Sequence, residues 1–419
     1  MKKKFFIFIY LFLTIIINLA PNSICDDIDN EKAIDVTSEI LSSTNTSQLP
    51  IAIPETNSRS CVVIDRNTNT ILYGKNENTQ RKMASTTKIM TATIIIENCN
   101  LNETIEISKK AAGTGGSRLG LKTGDKITIK DLLYGLMLRS GNDAAVALAE
   151  YAGGDIKGFA ELMNKKAYEL GLTNTHFQTP HGLDSDEHYT TAYELALLSN
   201  YALNNTTFAQ IVGTKNYTIT INGYPKNLSN TNELLGNLDG VYGIKTGFTN
   251  GANRCLVSAC KRNDMDIICV VLGADTKNYR TSDSIKIINY IFDNFKPINI
   301  KEIINKKFEK WKNENLDKFI INKGISQNIC LEIENIDKPI IPIRKDLIDS
   351  INISIDCPNF FESPLLEKTV LGNINVTISE NLTFNYNIYN LYEIKRKTWS
   401  TYIFNILKSY PYILEKNLI

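Results

Sequence analysis

Apolar positions along the chain change their spacing several times, and each change predicts an element. Cys61-Val62-Val63-Ile64 and Ile71-Leu72-Tyr73 flank polar residues 66–70, the pattern of a β-hairpin. The run Ile89-Met90-Thr91-Ala92-Thr93-Ile94-Ile95-Ile96 is apolar on nearly every face and predicts a buried helix headed by Ala84-Ser85-Thr86-Thr87-Lys88. Residues 104–129 read as strand-like and glycine-punctuated. A capping box, Thr128-Ile129-Lys130-Asp131, then opens a helix with Leu132, Leu133, Leu136 and Met137 on its apolar face. Asp143 is the expected N-cap of a following alanine-rich helix, which leaves Ser140 and Asn142 on a tight loop between two buried helices.

Helices are predicted over 159–169 and 192–203, separated by the turn-rich 173–190. The strand-like Val241 to Thr249 leads through a glycine and asparagine turn into a second hairpin, Cys255 to Cys260 with Ile267 to Leu272. A helix carrying Ile285, Ile288, Ile291, Phe292 and Phe295 closes the region. Strands at both ends with helices between imply one sheet assembled from the two flanks of a domain and covered by helices. Past Pro297, short alternating runs predict a small β-rich domain. In the tail, Lys395-Arg396-Lys397 precedes Trp399, Tyr402, Ile403, Phe404, Ile406 and Leu407, the composition of an interfacial amphipathic helix.

Composition changes this picture little. Lys and Arg number 46 against 45 Asp and Glu, with no long basic run, so nothing points to nucleic acid. The eight cysteines form no C-x-x-C pair and there are three histidines, so neither a metal nor a cofactor is expected, and no disulfide pairing is assigned. The N-terminus is more informative. Lys2-Lys3-Lys4, apolar Phe5 to Leu19 and then Ala20-Pro21-Asn22-Ser23 have the three-part layout of a secretory signal peptide, which predicts an exported protein. The expected organisation is a signal peptide (1–25), a flexible leader (26–54), a main domain (55–296), a β-rich domain (297–390) and a membrane-associated tail (391–419).

Candidate chemistry starts at Ser85 and Lys88, three positions apart and on one helix face. A serine hydroxyl needs an adjacent base, and a lysine serves only when burial or a cationic neighbour lowers its pKa. Ser140-Gly141-Asn142 and Lys245-Thr246-Gly247 stand further along, on the inter-helix loop and on a strand. A second K-T-G, Lys122-Thr123-Gly124, reads as a turn. Glu233 and Asn237, an E-x-x-x-N pair immediately before Lys245, read as structural.

In this order the three motifs resemble those of the penicillin-binding proteins and serine β-lactamases. With Ala84 to Thr91, Leu138 to Ala145, His181-Gly182-Leu183, Tyr189, Gly243 to Thr249 and Arg280, the chain is similar to the low-molecular-mass D-alanyl-D-alanine carboxypeptidases over about residues 60–295. Asn253-Arg254 departs from the Gly-Tyr pattern of many relatives. The resemblance implies an α/β fold, an antiparallel sheet flanked by helices with an all-helical subdomain, plus a small C-terminal β-rich domain.

It also implies roles. Ser85 would be acylated with Lys88 as base. Ser140 would relay a proton, Asn142 would hold the substrate amide, and Lys245 would add positive charge. Backbone N–H groups of Ser85 and Thr249 would form the oxyanion hole, and Thr246, Gly247, Thr249 and Arg280 would bind the substrate and its terminal carboxylate. The implied partners are peptidoglycan stem peptides ending in D-Ala-D-Ala, β-lactams as covalent inhibitors, and the outer face of the cell membrane through the tail. A β-lactamase and a non-catalytic wall-binding protein are the alternatives. The first lacks a glutamate midway between the second and third motifs, and the second sits poorly with a full set of catalytic side chains.

Overall fold

A computed structural model describes residues 52–380 and 382–416. The expected signal peptide and most of the polar leader lie outside the described residues. The chain divides into two compact units, Met1–Asp293 and Asn294–Ile419.

In the first unit the apolar runs of both flanks pair into one antiparallel sheet. Strands β1 (Ser60–Asp65) and β2 (Ile71–Lys75) come from one flank, and β3 (Val241–Thr249), β4 (Asn253–Arg262) and β5 (Met265–Ala274) from the other; their order is β2-β1-β5-β4-β3. Ser60 stands opposite Leu272 and Asp65 opposite Ile267, so the register of β1 with β5 joins the chain's two flanks. Every residue of β1 is buried, which explains why its apolar run is continuous instead of alternating.

Helix α1 (Lys88–Asn98) is buried from Lys88 to Ile95. Around it pack α2 (Ile129–Leu138), α3 (Asn142–Gly153), α4 (Ile156–Glu169) and α5 (Ala192–Leu203). An isolated buried helix face would be costly; four neighbours make an all-round apolar helix the favoured choice. Thr128 caps α2 by accepting from Asp131 N–H at 3.1 Å, as the capping box predicts. Helix α6 (Lys277–Asn294) lies against the sheet, with Tyr290 edge-on to Tyr73.

Between the flanks the helices are accompanied by two small hairpins, Thr104–Glu106 with Lys126–Thr128, in the stretch that reads as strand-like, and Asn216–Ile221 with Tyr224–Ser229. The second turns at Asn222-Gly223, with φ of 52° and 82°, a turn that asparagine and glycine readily adopt. One expectation changes: Asp143 is not the N-cap of α3, which begins at Asn142, and three of the four N–H groups its carboxylate accepts come from another loop.

The second unit is β-rich. A four-stranded antiparallel sheet runs in the order Leu331–Ile333, Leu382–Asn390, Val370–Ser379, Asn352–Asp356. Two further strand pairs join Phe295–Asn299 to Ile340–Arg344 and Ile320–Asn322 to Phe360–Glu362. A helix the alternation analysis did not anticipate, Ile300–Asn315, buries Ile300, Ile304 and Phe308, spaced four apart on one face. The last described element is helix Trp399–Lys416. No described helix is long and apolar enough to cross a membrane.

Candidate active site

Ser85 lies on a 3-10 turn, Ala84–Thr87, that runs directly into α1. Side chains three apart eclipse in such a turn, and Lys88 Nζ stands 2.6 Å from Ser85 Oγ. Lys88 is fully buried. Its Nζ also donates to Asn142 Oδ1 at 2.7 Å and to the His181 carbonyl at 2.9 Å. These two partners only accept. A neutral amine has two N–H groups for them, and its lone pair is then left for the Ser85 hydroxyl proton.

The Asn142 amide is held in that orientation from behind. Its Nδ2 donates to Gly115 O at 3.0 Å and its backbone N–H to Ser117 O at 2.7 Å. The loop supplying both carbonyls is clamped by Asp143, whose carboxylate accepts the N–H groups of Leu119, Gly120 and Leu121 at 2.8–3.0 Å. Asp143 thus positions Asn142 through the loop.

The third motif approaches along the free edge of β3. A Cβ built on Gly247 would sit 3.1 Å from Ser85 N and 3.2 Å from Ala84 Cβ, so glycine is what lets the strand close on Ser85. Gly182, at φ +88°, is tighter still: a Cβ there would overlap Ala84 O at 1.9 Å. Ala84 (φ 48°) and Ser140 (φ 60°) hold left-handed backbone without being glycine, conformations that persist only where their surroundings enforce them. Ser85, Ser140, Thr246 and Gly247 line one groove of about 280 Å³ with Thr231, Phe248, Lys277 and Arg280. Lys245 is buried beside it and donates to Thr246 O at 2.9 Å.

That last bond corrects one assignment. It places the Thr246 carbonyl on the groove edge of β3, and residues two apart in a strand direct their N–H and C=O groups to the same edge. Phe248 N–H therefore faces the groove and Thr249 N–H faces β4, so Phe248 replaces Thr249 as the expected partner of Ser85 N–H. The Thr249 hydroxyl is also committed elsewhere. It donates to Asp184 Oδ1 at 2.7 Å and accepts from Ala252 N–H at 3.0 Å, fully buried, so it does not offer a hydrogen bond to a substrate carboxylate.

Of the remaining groups, His181 contributes its carbonyl to Lys88, while its ring Nδ1 accepts from Leu183 N–H at 3.2 Å. Burial pushes the imidazole down to about 3, so it stays neutral. His188 escaped the sequence reading. Its Nδ1 accepts from Gln178 N–H, which leaves Nε2–H for Thr87 Oγ1 at 2.8 Å beneath the nucleophile's turn. Burial pushes it too down to about 3. Lys122-Thr123-Gly124 is a surface turn closed by Asp125, as expected. Asn237 donates from Nδ2 to the Glu233 carbonyl at 2.8 Å and from its backbone N–H to the Leu234 carbonyl at 3.1 Å. Glu233 itself faces the groove. Among the described residues the seven cysteines are free thiols and no cluster of side chains has the makings of a metal site.

A serine paired with a buried lysine beside a five-stranded antiparallel sheet, with a second serine and a K-T-G strand on the same groove, is the site arrangement of the penicillin-binding fold. The sequence profile of the D-alanyl-D-alanine carboxypeptidases matches residues 44–276, and the chain belongs to that family. It is 38% identical over 243 residues to the D-alanyl-D-alanine carboxypeptidase DacF of Bacillus subtilis (strain 168), covering 57% of this chain and 62% of that protein's length. Against the D-alanyl-D-alanine carboxypeptidase of Streptomyces sp. (strain K15) the identity is 39% over 247 residues, 55% of this chain and 85% of that one. The crystal structure of DacD from Francisella tularensis superposes with a TM-score of 0.67 at 25% identity, covering 85% of this chain and 98% of that one.

Proposed function

We propose that the protein removes the terminal D-alanine from peptidoglycan stem peptides ending in D-Ala-D-Ala, through an acyl-enzyme on Ser85. The observation that carries this reading is the Lys88 amine, 2.6 Å from Ser85 Oγ with its other two partners restricted to accepting. Ser85 Oγ attacks the carbonyl between the two D-alanines as its proton passes to Lys88 Nζ. The negative oxygen of the tetrahedral intermediate is held by the Ser85 and Phe248 N–H groups, each worth about 3–4 kcal/mol in such a site. The C–N bond breaks as the leaving amine takes a proton through Ser140, and D-alanine departs. Water then cleaves the ester, with Lys88 again receiving a proton. Asn142 holds the substrate amide, Lys245 places positive charge near Lys88 and the carboxylate, and Thr246 with Arg280 receives that carboxylate.

β-Lactams would acylate the same serine. A penicillin bearing a fluorophore should label the wild type and leave Ser85→Ala unlabelled, and D-alanine release from a pentapeptide should vanish with the same substitution. Release that persists in Ser85→Ala refutes the assignment, and rapid turnover of the penicillin favours a β-lactamase instead. We place the enzyme outside the cytoplasm, against the membrane surface. The end helix supports this by exposing Trp399, Ile403, Phe404, Ile406 and Leu407 close behind Lys395-Arg396-Lys397. Co-sedimentation with anionic vesicles should be lost when the chain is ended at residue 398.

A further inference from the structure

A carboxylate already sits at the end of the groove where the substrate's own is expected. Glu233 Oε1 accepts from Lys277 Nζ at 2.6 Å and Oε2 from Arg280 Nη2 at 2.5 Å. The glutamate side chain is 19% exposed, the lysine 14% and the arginine 3%, so the cluster is poorly screened by water. Two cations share this one carboxylate.

We propose that Glu233 is an internal stand-in for the substrate's terminal carboxylate, occupying Arg280 in the free enzyme and yielding it when a carboxylate-ended peptide enters. The proposal rests on the reading of Arg280 as the carboxylate receptor. A guanidinium this deeply buried is costly to leave without an anion while the groove is empty. Glu233 supplies one, and Lys277 lets it go: with Oε1 kept on Lys277, Oε2 can leave Arg280 without stranding the glutamate charge. A carboxylate is exchanged for a carboxylate at Arg280, and a peptide ending in a neutral amide offers nothing in exchange. Glu233 is therefore a specificity-determining residue that makes entry conditional on a full negative charge.

Competition of this kind reduces apparent affinity by the fraction of time the guanidinium is open, so an occupancy of roughly nine-tenths gives about a tenfold effect. In Glu233→Gln the KM for diacetyl-lysyl-D-Ala-D-Ala should fall about five- to tenfold, while the inhibition constant of the corresponding peptide amide shifts less than about twofold. Lys277→Met, which removes the alternative partner, should raise KM. A KM that is unchanged or raised in Glu233→Gln would show that Glu233 orients Arg280 instead of competing for it, and overturns the proposal; so does an equal shift for acid and amide. Should Glu233→Gln unfold at the assay temperature, Glu233→Asp, too short to span both cations, reads the same fall in KM. Calorimetric titration of Ser85→Ala with the peptide acid, with and without Glu233→Gln, measures the exchange without turnover. Wild-type enzyme that releases no D-alanine would refute the proposed function, and the calorimetric comparison would still decide the role of Glu233.

Discussion

Replacing Asp143 by asparagine tests whether the Asn142 amide is positioned from behind. Asp143 is fully buried, and its two oxygens accept four backbone N–H groups: Leu119 and Ala144 on Oδ1, Gly120 and Leu121 on Oδ2. Asparagine offers one oxygen and one NH2, so in either orientation two of the four donors face another donor. Each hydrogen bond to a charged group contributes about 1.5–3 kcal/mol, which puts the loss at about 3–6 kcal/mol. For a domain of this size that corresponds to a fall in Tm on the order of 10 °C or more. Function should suffer even where the protein stays folded. The loosened loop carries Gly115 O and Ser117 O, and without them the Asn142 amide can turn its Nδ2 toward Lys88, donor against donor. Thermal unfolding followed by circular dichroism, and the second-order rate of acylation by a fluorescent penicillin well below Tm, read the two effects separately; acylation should slow about 10- to 100-fold, or about 1.4–2.8 kcal/mol. A variant within about 2 °C of wild type would refute the energetic argument. A destabilised variant that acylates at the wild-type rate would refute the link from Asp143 to Asn142.

Gly247→Ala places a Cβ 3.1 Å from Ser85 N, and stopped-flow acylation should slow by about tenfold or more while Tm moves little; a wild-type rate would show that the strand can retreat at no cost. His181 and His188 are both held near 3, below the usual histidine value, so the unfolded chain binds their protons first and stability is lost as pH falls from about 6.5 toward 3. By pH 5 each should account for about 2 kcal/mol, and urea titrations of His188→Phe should show a shallower acid limb than the wild type; identical limbs would exclude His188 as a source. Asp184→Asn weakens the bonds from Thr249 Oγ1 and Gly251 N–H, both 2.7 Å, that close the turn after β3. It should cost about 1–3 kcal/mol in denaturant unfolding, and amide exchange should rise first in residues 249–252.

Local spacing alone determined much of this protein. The hairpin of residues 60–75, the cap of α2, the bounds of α5 and the β-rich second unit all follow from the period of apolar residues and from cap chemistry, which act over a few positions. Three motifs carried the candidate site for the same reason: Ser85 and Lys88 are placed by one turn of backbone, and Ser140 and Asn142 by the junction of two helices. What escaped depends on contacts across the chain. Asp143 looked like a cap because its nearest N–H groups in sequence are those of α3; three of the four donors that hold it lie 22 to 24 residues upstream. Thr249 looked like a ligand until the arrival of Asp184 showed where its hydroxyl points. Glu233 was visible as a residue but not as a charge beside Arg280, 47 positions away. Periodicity is a property of one segment, so it is written in the sequence. The direction of a hydrogen bond or an ion pair depends on which two segments the sheet and helices bring together, and only the tertiary structure decides that.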